Sequence, residues 1–139
     1  MFQIKGIDHV VIRASDLGPM LEFYTDVLGC TLERQNEEIG LYQLRAGASL
    51  IDLVPVDGVL GRASGAGPGA EGRNVDHVCL RVEPFDGDGL IALLESRGAS
   101  PGKVESRYGA EGLGPSLYLA DPEGNVIELK GPPSQSESG

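Results

Sequence analysis

Alternating apolar and polar positions mark one short segment that occurs twice. Residues 7–13 read Ile-Asp-His-Val-Val-Ile-Arg, and residues 75–81 read Val-Asp-His-Val-Cys-Leu-Arg. Apolar, β-branched side chains that alternate with polar ones are typical of a half-buried β-strand. The two copies contain both histidines of the chain, His9 and His77. The pattern therefore indicates a repeated strand that carries a histidine at the same place in each copy.

The repeated strand opens a repeated series of predicted elements. In the first half, a helix from Ser15-Asp16 to Gly29 follows the first strand, because Ser and Asp favour the start of a helix and Gly its end. The predicted strands of this half span 3–13, 30–37, 41–45 and 48–54. The second half has a helix from Asp86 to Gly98, a Gly-rich loop over 108–115, and predicted strands over 74–82, 102–107, 116–120 and 125–130. This internal repetition predicts two tandem β-α-β-β-β modules.

The modules, residues 3–56 and 74–131, are expected to form a single α+β domain. One module alone would leave one face of its sheet bare, whereas two can pair into a larger curved mixed sheet with a cleft, with the helices on its outer face. The Gly-rich residues 57–73 between them are predicted to be a tether, with a mobile lid as the alternative. The tail, residues 132–139, is rich in Ser, Pro and Gly and is expected to fray.

Strand parity places four polar side chains on one face of the predicted sheet. Side chains alternate between the faces of a strand, and the apolar face should lie under the helix, so His9 and His77 face the other way. Asp52 and Glu128 share that direction, because Ile51-Asp52-Leu53 matches Ile127-Glu128-Leu129. Each residue taken singly is more often structural. Together, imidazole nitrogens and carboxylate oxygens form a ligand set for a divalent metal, with Asp52 acting directly or through a water.

Six further residues are candidates for contact with a substrate. Gln43 and Tyr118 occupy matched positions on the third strands and face the predicted cleft. Arg13 and Arg81 also face it and could hold an anionic group, although a surface charge is an equally good interpretation of each arginine. Arg107 and Tyr108 precede the Gly-rich loop and could border the substrate.

Composition excludes several kinds of partner and location. The 139-residue chain has a formal net charge of -10, which argues against nucleic acid and anionic membrane surfaces as partners. No apolar run is long enough to span a bilayer, and the N-terminus has no signal-peptide pattern. The two cysteines are too few for a disulfide framework, so a cytoplasmic location is expected.

Four motifs give the chain a resemblance to a known superfamily. They are Ile-Asp-His-Val at 7–10, Phe-Tyr-Thr-Asp-Val-Leu-Gly at 23–29, Val-Asp-His at 75–77, and Tyr-Leu-Ala-Asp-Pro-Glu-Gly-Asn-Val-Ile-Glu-Leu at 118–129. Through them, residues 5–131 resemble the vicinal oxygen chelate superfamily, which includes glyoxalase I, extradiol dioxygenases, fosfomycin-resistance transferases and bleomycin-resistance proteins.

The resemblance implies a fold, a metal and an assembly. Paired modules would close into a half-barrel around one divalent metal, held by His9, His77, Glu128 and, at the fourth position, Asp52. Glyoxalase I usually has Glu at the position of Asp52, and this departure argues against glyoxalase I activity proper. Members commonly dimerise, so a homodimer is expected, and the modules of a site can come from one chain or from two.

Three functions follow, in order of preference. The first is a glyoxalase-like lyase or isomerase, in which Zn, Ni, Mn, Fe or Co binds vicinal oxygens of a small substrate and stabilises an enolate, with Glu128 or Asp52 as general base. The second is an Fe(II) extradiol-type dioxygenase, because two histidines and a carboxylate are its usual ligands. The third is a ligand-sequestering dimer like the bleomycin-resistance proteins, although such a binder has no need of the histidines.

Overall fold

The computed structural model describes residues 1–63 and 65–134 of the chain. These residues divide into two compact units, one that ends at Asn74 and one that begins at Val75. Each unit contains one sheet and the helical segments that precede or follow its strands.

The first unit is built on a four-stranded mixed sheet with the strand order β1-β4-β3-β2. Strand β1 is parallel to β4, whereas β3 is antiparallel to both β4 and β2. In chain order its elements are β1 His9–Ala14, α1 Leu17–Glu22, a π-helical segment Phe23–Val27, β2 Thr31–Asn36, β3 Leu41–Ala46, β4 Ser49–Pro55 and α2 Val59–Ala63.

The second unit repeats this arrangement with the order β5-β8-β7-β6, and β5 is parallel to β8. Its elements are β5 His77–Arg81, α3 Gly87–Ser96, β6 Glu105–Gly109, β7 Gly112–Ala120 and β8 Val126–Lys130. Two four-stranded mixed sheets in tandem, each with its helices, confirm the predicted α+β class.

The apolar faces predicted from parity form the core. Ile12 and Leu53 are fully buried in the first unit, as is Ile127 in the second. Helix α1 packs on β4 and contributes the buried Met20. Because neighbouring side chains along a strand point to opposite faces, this packing leaves the histidines and acidic residues on the other face of each sheet.

Two predicted elements of the first unit are wrong in extent or type. Strand β1 begins at His9 and not at residue 3, because its pairing with β4 starts at His9 opposite Leu50. The predicted single α-helix changes to π-helical pairing at Phe23, although the chain leaves it at Gly29 as expected, with φ of +83°. The segment 57–73, predicted to be a tether, contains α2, and the carbonyl of Asp57 accepts a hydrogen bond from Arg62 at 2.7 Å.

The Gly-rich stretch 108–115 is a β-hairpin and not a loop. Strands β6 and β7 pair through Gly109 and Gly112 around a two-residue turn. The glycines make room for the side chain of Lys130, since a Cβ on Gly109 would lie 2.9 Å from its Cε and a Cβ on Gly114 would lie 3.1 Å from its Nζ. Lys130 is 6% exposed and donates a hydrogen bond to the carbonyl of Gly112 at 3.0 Å. The glycines therefore reflect close packing.

The predicted fraying of the tail can be examined over its first residues. The amide of Ser134 donates a hydrogen bond to the carbonyl of Leu113 at 2.8 Å, so the chain still follows β7 at this point. The remaining part of the predicted tail, 135–139, lies outside the described residues.

Two helical glycines should differ in how much their replacement by alanine destabilises the fold. A Cβ on Gly61 would overlap the carbonyl oxygen of Pro55 and lie 2.7 Å from the Cα of Val56, both backbone atoms that cannot rotate away. Gly61→Ala should therefore lower the free energy of unfolding by about 1–3 kcal/mol. Gly18→Ala is the matched control, since nothing beyond its chain neighbours lies within 4 Å of its Cβ. Because Pro19 follows it and disfavours a helical alanine, its stability should change by less than about 1 kcal/mol. Urea unfolding of both variants measures this, and equal effects would contradict the packing of α2.

Candidate functional site

The first unit brings His9 together with Asp52. Strands β1 and β4 are parallel neighbours, and Val11 lies opposite Asp52 in their register. His9 Nε2 lies 3.9 Å from Asp52 Oδ2, and the Asp52 side chain is almost completely buried. Gln43, which is opposite Asp52 on β3, donates from Nε2 to both carboxylate oxygens at 3.4 Å. The buried carboxylate is therefore in contact with an imidazole and an amide.

The second unit repeats the pair with His77 and Glu128. His77 Nε2 lies 3.3 Å from Glu128 Oε1, and Glu128 is 6% exposed. Tyr118 is opposite Glu128 on β7, and its ring lies edge-on to the His77 ring with centroids 5.6 Å apart. This pair is closer than the first one and is flanked by an aromatic ring where the first has an amide.

Each histidine is oriented by the aspartate that precedes it. His9 Nδ1 lies 2.7 Å from Asp8 Oδ1, and His77 Nδ1 lies 2.7 Å from Asp76 Oδ1. A carboxylate on one ring nitrogen fixes the tautomer and leaves the other nitrogen available to a metal. Sequence reasoning did not assign Asp8 and Asp76 to the site, although the Asp-His dipeptide in both copies was the available signal.

The surrounding charges affect the proton of His9. The hydrogen bond that His9 Nδ1–H donates to Asp8, together with the negative charge of Asp52, raises the pKa of His9 above its ordinary value. On β5, partial burial raises the pKa of the Cys79 thiol, and the neighbouring Glu128 carboxylate adds to the effect. A higher pKa disfavours the thiolate, which is the form of cysteine that binds metals.

The four predicted ligands occur as two histidine–carboxylate pairs. Across residues 1–63 and 65–134, no three or more His, Cys, Asp or Glu side chains gather closely enough within the structure to hold a metal. The donor types fit a divalent ion, because imidazole nitrogen and carboxylate oxygen suit Zn and its first-row neighbours. Each pair supplies two such donors on the face that the core leaves open.

A cavity of about 620 Å³ adjoins the first pair, within the ~300–1,000 Å³ range usual for small-molecule sites. Two predicted substrate contacts, Gln43 and Arg13, are among its walls. The full lining is His9, Val11, Arg13, Leu41, Gln43, Asp52, Val54, Leu60, Arg73 and Asn74. Sequence reasoning missed Leu60 and Arg73, which belong to the segment that it interpreted as a tether, and Asn74, the first residue of a predicted strand.

The other predicted contacts lie in the second unit and are engaged locally. The Arg81 guanidinium pairs with Glu111 at 2.6 Å and with Glu83 at 3.0 Å. Arg107 lies over the Tyr118 ring, 4.3 Å from its centroid, and donates to Ser116 Oγ at 2.7 Å. Tyr108 is 80% exposed. Arg107 therefore supports Tyr118, whereas Arg81 would have to leave two carboxylates to bind another anion.

Known proteins match the chain along most of its length. It is 32% identical to "Virulence protein STM3117" of Salmonella typhimurium over 91% of this chain and 83% of that protein. It is 28% identical to "Probable lactoylglutathione lyase" of Vibrio cholerae over 87% of this chain and 86% of that protein.

Within the described residues, no helix is long and apolar enough to cross a membrane.

Solved structures share the fold. The crystal structure of the Salmonella typhimurium virulence protein superposes with a TM-score of 0.74 at 26% identity and covers 94% of this chain and 99% of that one. The integron cassette protein VCH_CASS1 of V. cholerae gives a TM-score of 0.74 at 25% identity, with 94% and 98% coverage. The family model described as Glyoxalase/Bleomycin resistance protein/Dioxygenase superfamily matches residues 6–129. The chain therefore belongs to the Glyoxalase/Bleomycin resistance protein/Dioxygenase superfamily.

Proposed function

We propose that this protein is a divalent-metal-dependent enzyme of the glyoxalase-like type, a lyase or isomerase that acts on a small substrate chelated through vicinal oxygens. The observation that carries the proposal is the repeated pair of a histidine and a buried carboxylate, His9 with Asp52 and His77 with Glu128. The similarity to a relative named as a probable lactoylglutathione lyase supports the same reaction class.

Burial makes ligation a better explanation of these carboxylates than a structural role. Asp52 and Glu128 are 3% and 6% exposed, and a buried carboxylate is costly without a compensating positive charge. In the part of the chain that the structure describes, each has its histidine as the one charged partner within 4.0 Å and no Lys or Arg. A divalent ion with His9, Asp52, His77 and Glu128 as its ligands would provide that charge. Zn, Ni, Mn, Fe and Co all suit these donors.

The local contacts favour Glu128 as the general base. A divalent metal held by these residues would supply Lewis-acid polarisation of the substrate oxygens. Asp52 is held by both contacts from Gln43, whereas Glu128 has one more methylene and no amide across from it. Glu128 is therefore the carboxylate better able to move, take a proton from the carbon beside the polarised carbonyl, and return it to the neighbouring atom.

Side chains next to the ligands would orient the substrate and limit water. Val11, Leu41 and Val54 line the cavity beside the first pair and form apolar walls. Gln43 and Tyr118 lie next to the two carboxylates and can hydrogen-bond to a substrate oxygen.

A homodimer in the cytoplasm is part of the proposal, and a reducing compartment suits the two free thiols, Cys30 and Cys79.

Removal of one proposed ligand should abolish tight metal binding. Protein purified without chelator is expected to contain a divalent metal, and His77→Ala, His9→Ala and Glu128→Gln should each weaken binding by at least the ~10–100-fold typical of second-shell changes. Metal analysis and thermal shift with Zn, Mn, Ni and Fe measure this. Glu38→Gln, an exposed acid on the surface, is the control and should bind normally.

Three results would contradict the proposal or identify one of the two alternative functions. No bound metal, together with unchanged melting on metal addition, contradicts it. Oxygen consumption with catechols after Fe(II) loading identifies a dioxygenase. Tight binding of bleomycin-type compounds without turnover identifies a sequestering protein. Co-expression of His9→Ala and His77→Ala chains tests whether a homodimer shares its sites, since recovery of metal in the mixture requires ligands from two chains.

Asp8 should control both the proton and the metal affinity of His9. Because the Asp8 hydrogen bond is the main cause of the raised pKa of His9, Asp8→Asn should lower that pKa towards its ordinary value, as measured by NMR titration of metal-free protein. The same change should weaken metal binding by ~10–100-fold. Glu38→Gln should change neither. An unmoved His9 pKa in Asp8→Asn would show that the Asp8 contact is absent in solution.

The direction of the pH dependence follows from the same shift. A metal must replace the His9 proton, so metal affinity should rise as pH rises through the raised pKa of His9. The stability of the metal-free protein changes with pH in the opposite direction. The protonated form of His9 stabilises the fold at acid pH, and this contribution is lost as pH rises through the same raised value.

A further inference from the structure

We propose that Arg73 makes the cavity of the first unit selective for substrates with an apolar body that ends in a carboxylate. This inference rests on the proposed function, because it takes the His9 and Asp52 end of the cavity as the chelating end. It adds a substrate class and a specificity-determining residue that neither the sequence repeat nor the family assigns.

The cavity has a chelating end and a cationic end. His9, Val11 and Arg13 occupy alternate positions of β1 and share one face, so His9 and Arg13 are roughly 13 Å apart along the strand. Val11 lies between them, and Val54 lies opposite Arg13 on β4. A ligand that is chelated at His9 and Asp52 and reaches Arg13 must therefore pass over Val11 and reach the side chain of Val54.

The segment that follows α2 is hydrogen-bonded to β1 and forms a wall of this cavity. The Arg13 backbone N–H donates to Asn74 Oδ1 at 3.2 Å, and Asn74 Nδ2 donates to the Arg13 carbonyl at 3.0 Å. Arg13 Nη1 also donates to the carbonyl of Gly65 at 3.3 Å. The side chain of Asn74 thus pairs with the edge strand as a neighbouring strand would. It holds the adjacent Arg73 at the cavity wall.

Charge identifies the group that Arg73 would bind. The chain has a net charge of -10, yet this lining contains two arginines, Arg13 and Arg73, and Asp52 as its carboxylate. Within residues 1–63 and 65–134, Arg73 has no carboxylate within 4.0 Å, unlike Arg81, which holds Glu111 and Glu83. A planar guanidinium that is not neutralised, beside an apolar wall in an acidic protein, favours the carboxylate of an otherwise apolar ligand.

Two ligands with the same alkyl chain, octanoate and octanol, test the inference on metal-free protein. We expect octanoate to bind metal-free protein about 10–100-fold more tightly than octanol, which is the range for a hydrogen bond to a charged group. NMR titration should show the shifts at the methyl groups of Val11, Val54 and Leu60. Arg73→Gln should abolish the preference for octanoate and leave octanol binding unchanged. Arg34→Gln removes the same charge from the exposed surface of β2 and should retain the preference.

Each other outcome overturns the inference in a recognisable way. If octyl phosphate binds more tightly than octanoate, the anion is a phosphate and the carboxylate assignment is wrong. If Arg34→Gln loses the preference as Arg73→Gln does, net charge and not Arg73 is responsible. If Arg73→Gln keeps the preference, or the wild type has none, the residue has no role in selectivity. A failed metal analysis with a normal octanoate result would refute only the metalloenzyme proposal.

Discussion

The parallel pairing between the first and last strands of each unit is the constraint on which the candidate site depends. Parallel neighbours cannot be joined by a tight turn, so a helix and two further strands separate them in the chain. The pairing brings a histidine from the start of the unit beside an acidic residue from its end, across more than forty positions in each case. Without the β1–β4 and β5–β8 pairings, these polar side chains would have no common face.

The two histidine–carboxylate pairs follow one plan with different surroundings. Asp52 is fixed by an amide, whereas Glu128 lies beside an aromatic ring that is itself supported by a guanidinium. The longer acidic side chain occurs in the unit with the shorter imidazole–carboxylate distance, 3.3 Å against 3.9 Å. Sequence duplication followed by divergence of the neighbours would give one rigid and one adjustable carboxylate within the same scaffold.

Parity was enough to predict the faces of the strands, since the side-chain period of a strand is two and the apolar residues reveal which face is buried. It could assign His9 and Glu128 to the open face without a structure. It could not predict features that depend on distant contacts. The hairpin at Gly109 looked like a loop because the residue that needs its space, Lys130, lies far along the chain. The segment before Asn74 looked like a tether because its anchor on Arg13 is 61 positions away.

The contrast between these two segments has a consequence for how the protein could acquire new substrates. Lys130 leaves little room for side chains on Gly109 and Gly114, so substitutions at these two hairpin glycines would have to displace a buried lysine. The stretch from Gly65 to Arg73 is attached chiefly through backbone groups and one asparagine, and its own side chains can change while that attachment persists. Apart from Gly67, whose Cβ would lie 2.9 Å from the Val56 side chain, this stretch is therefore the place where laboratory diversification should begin.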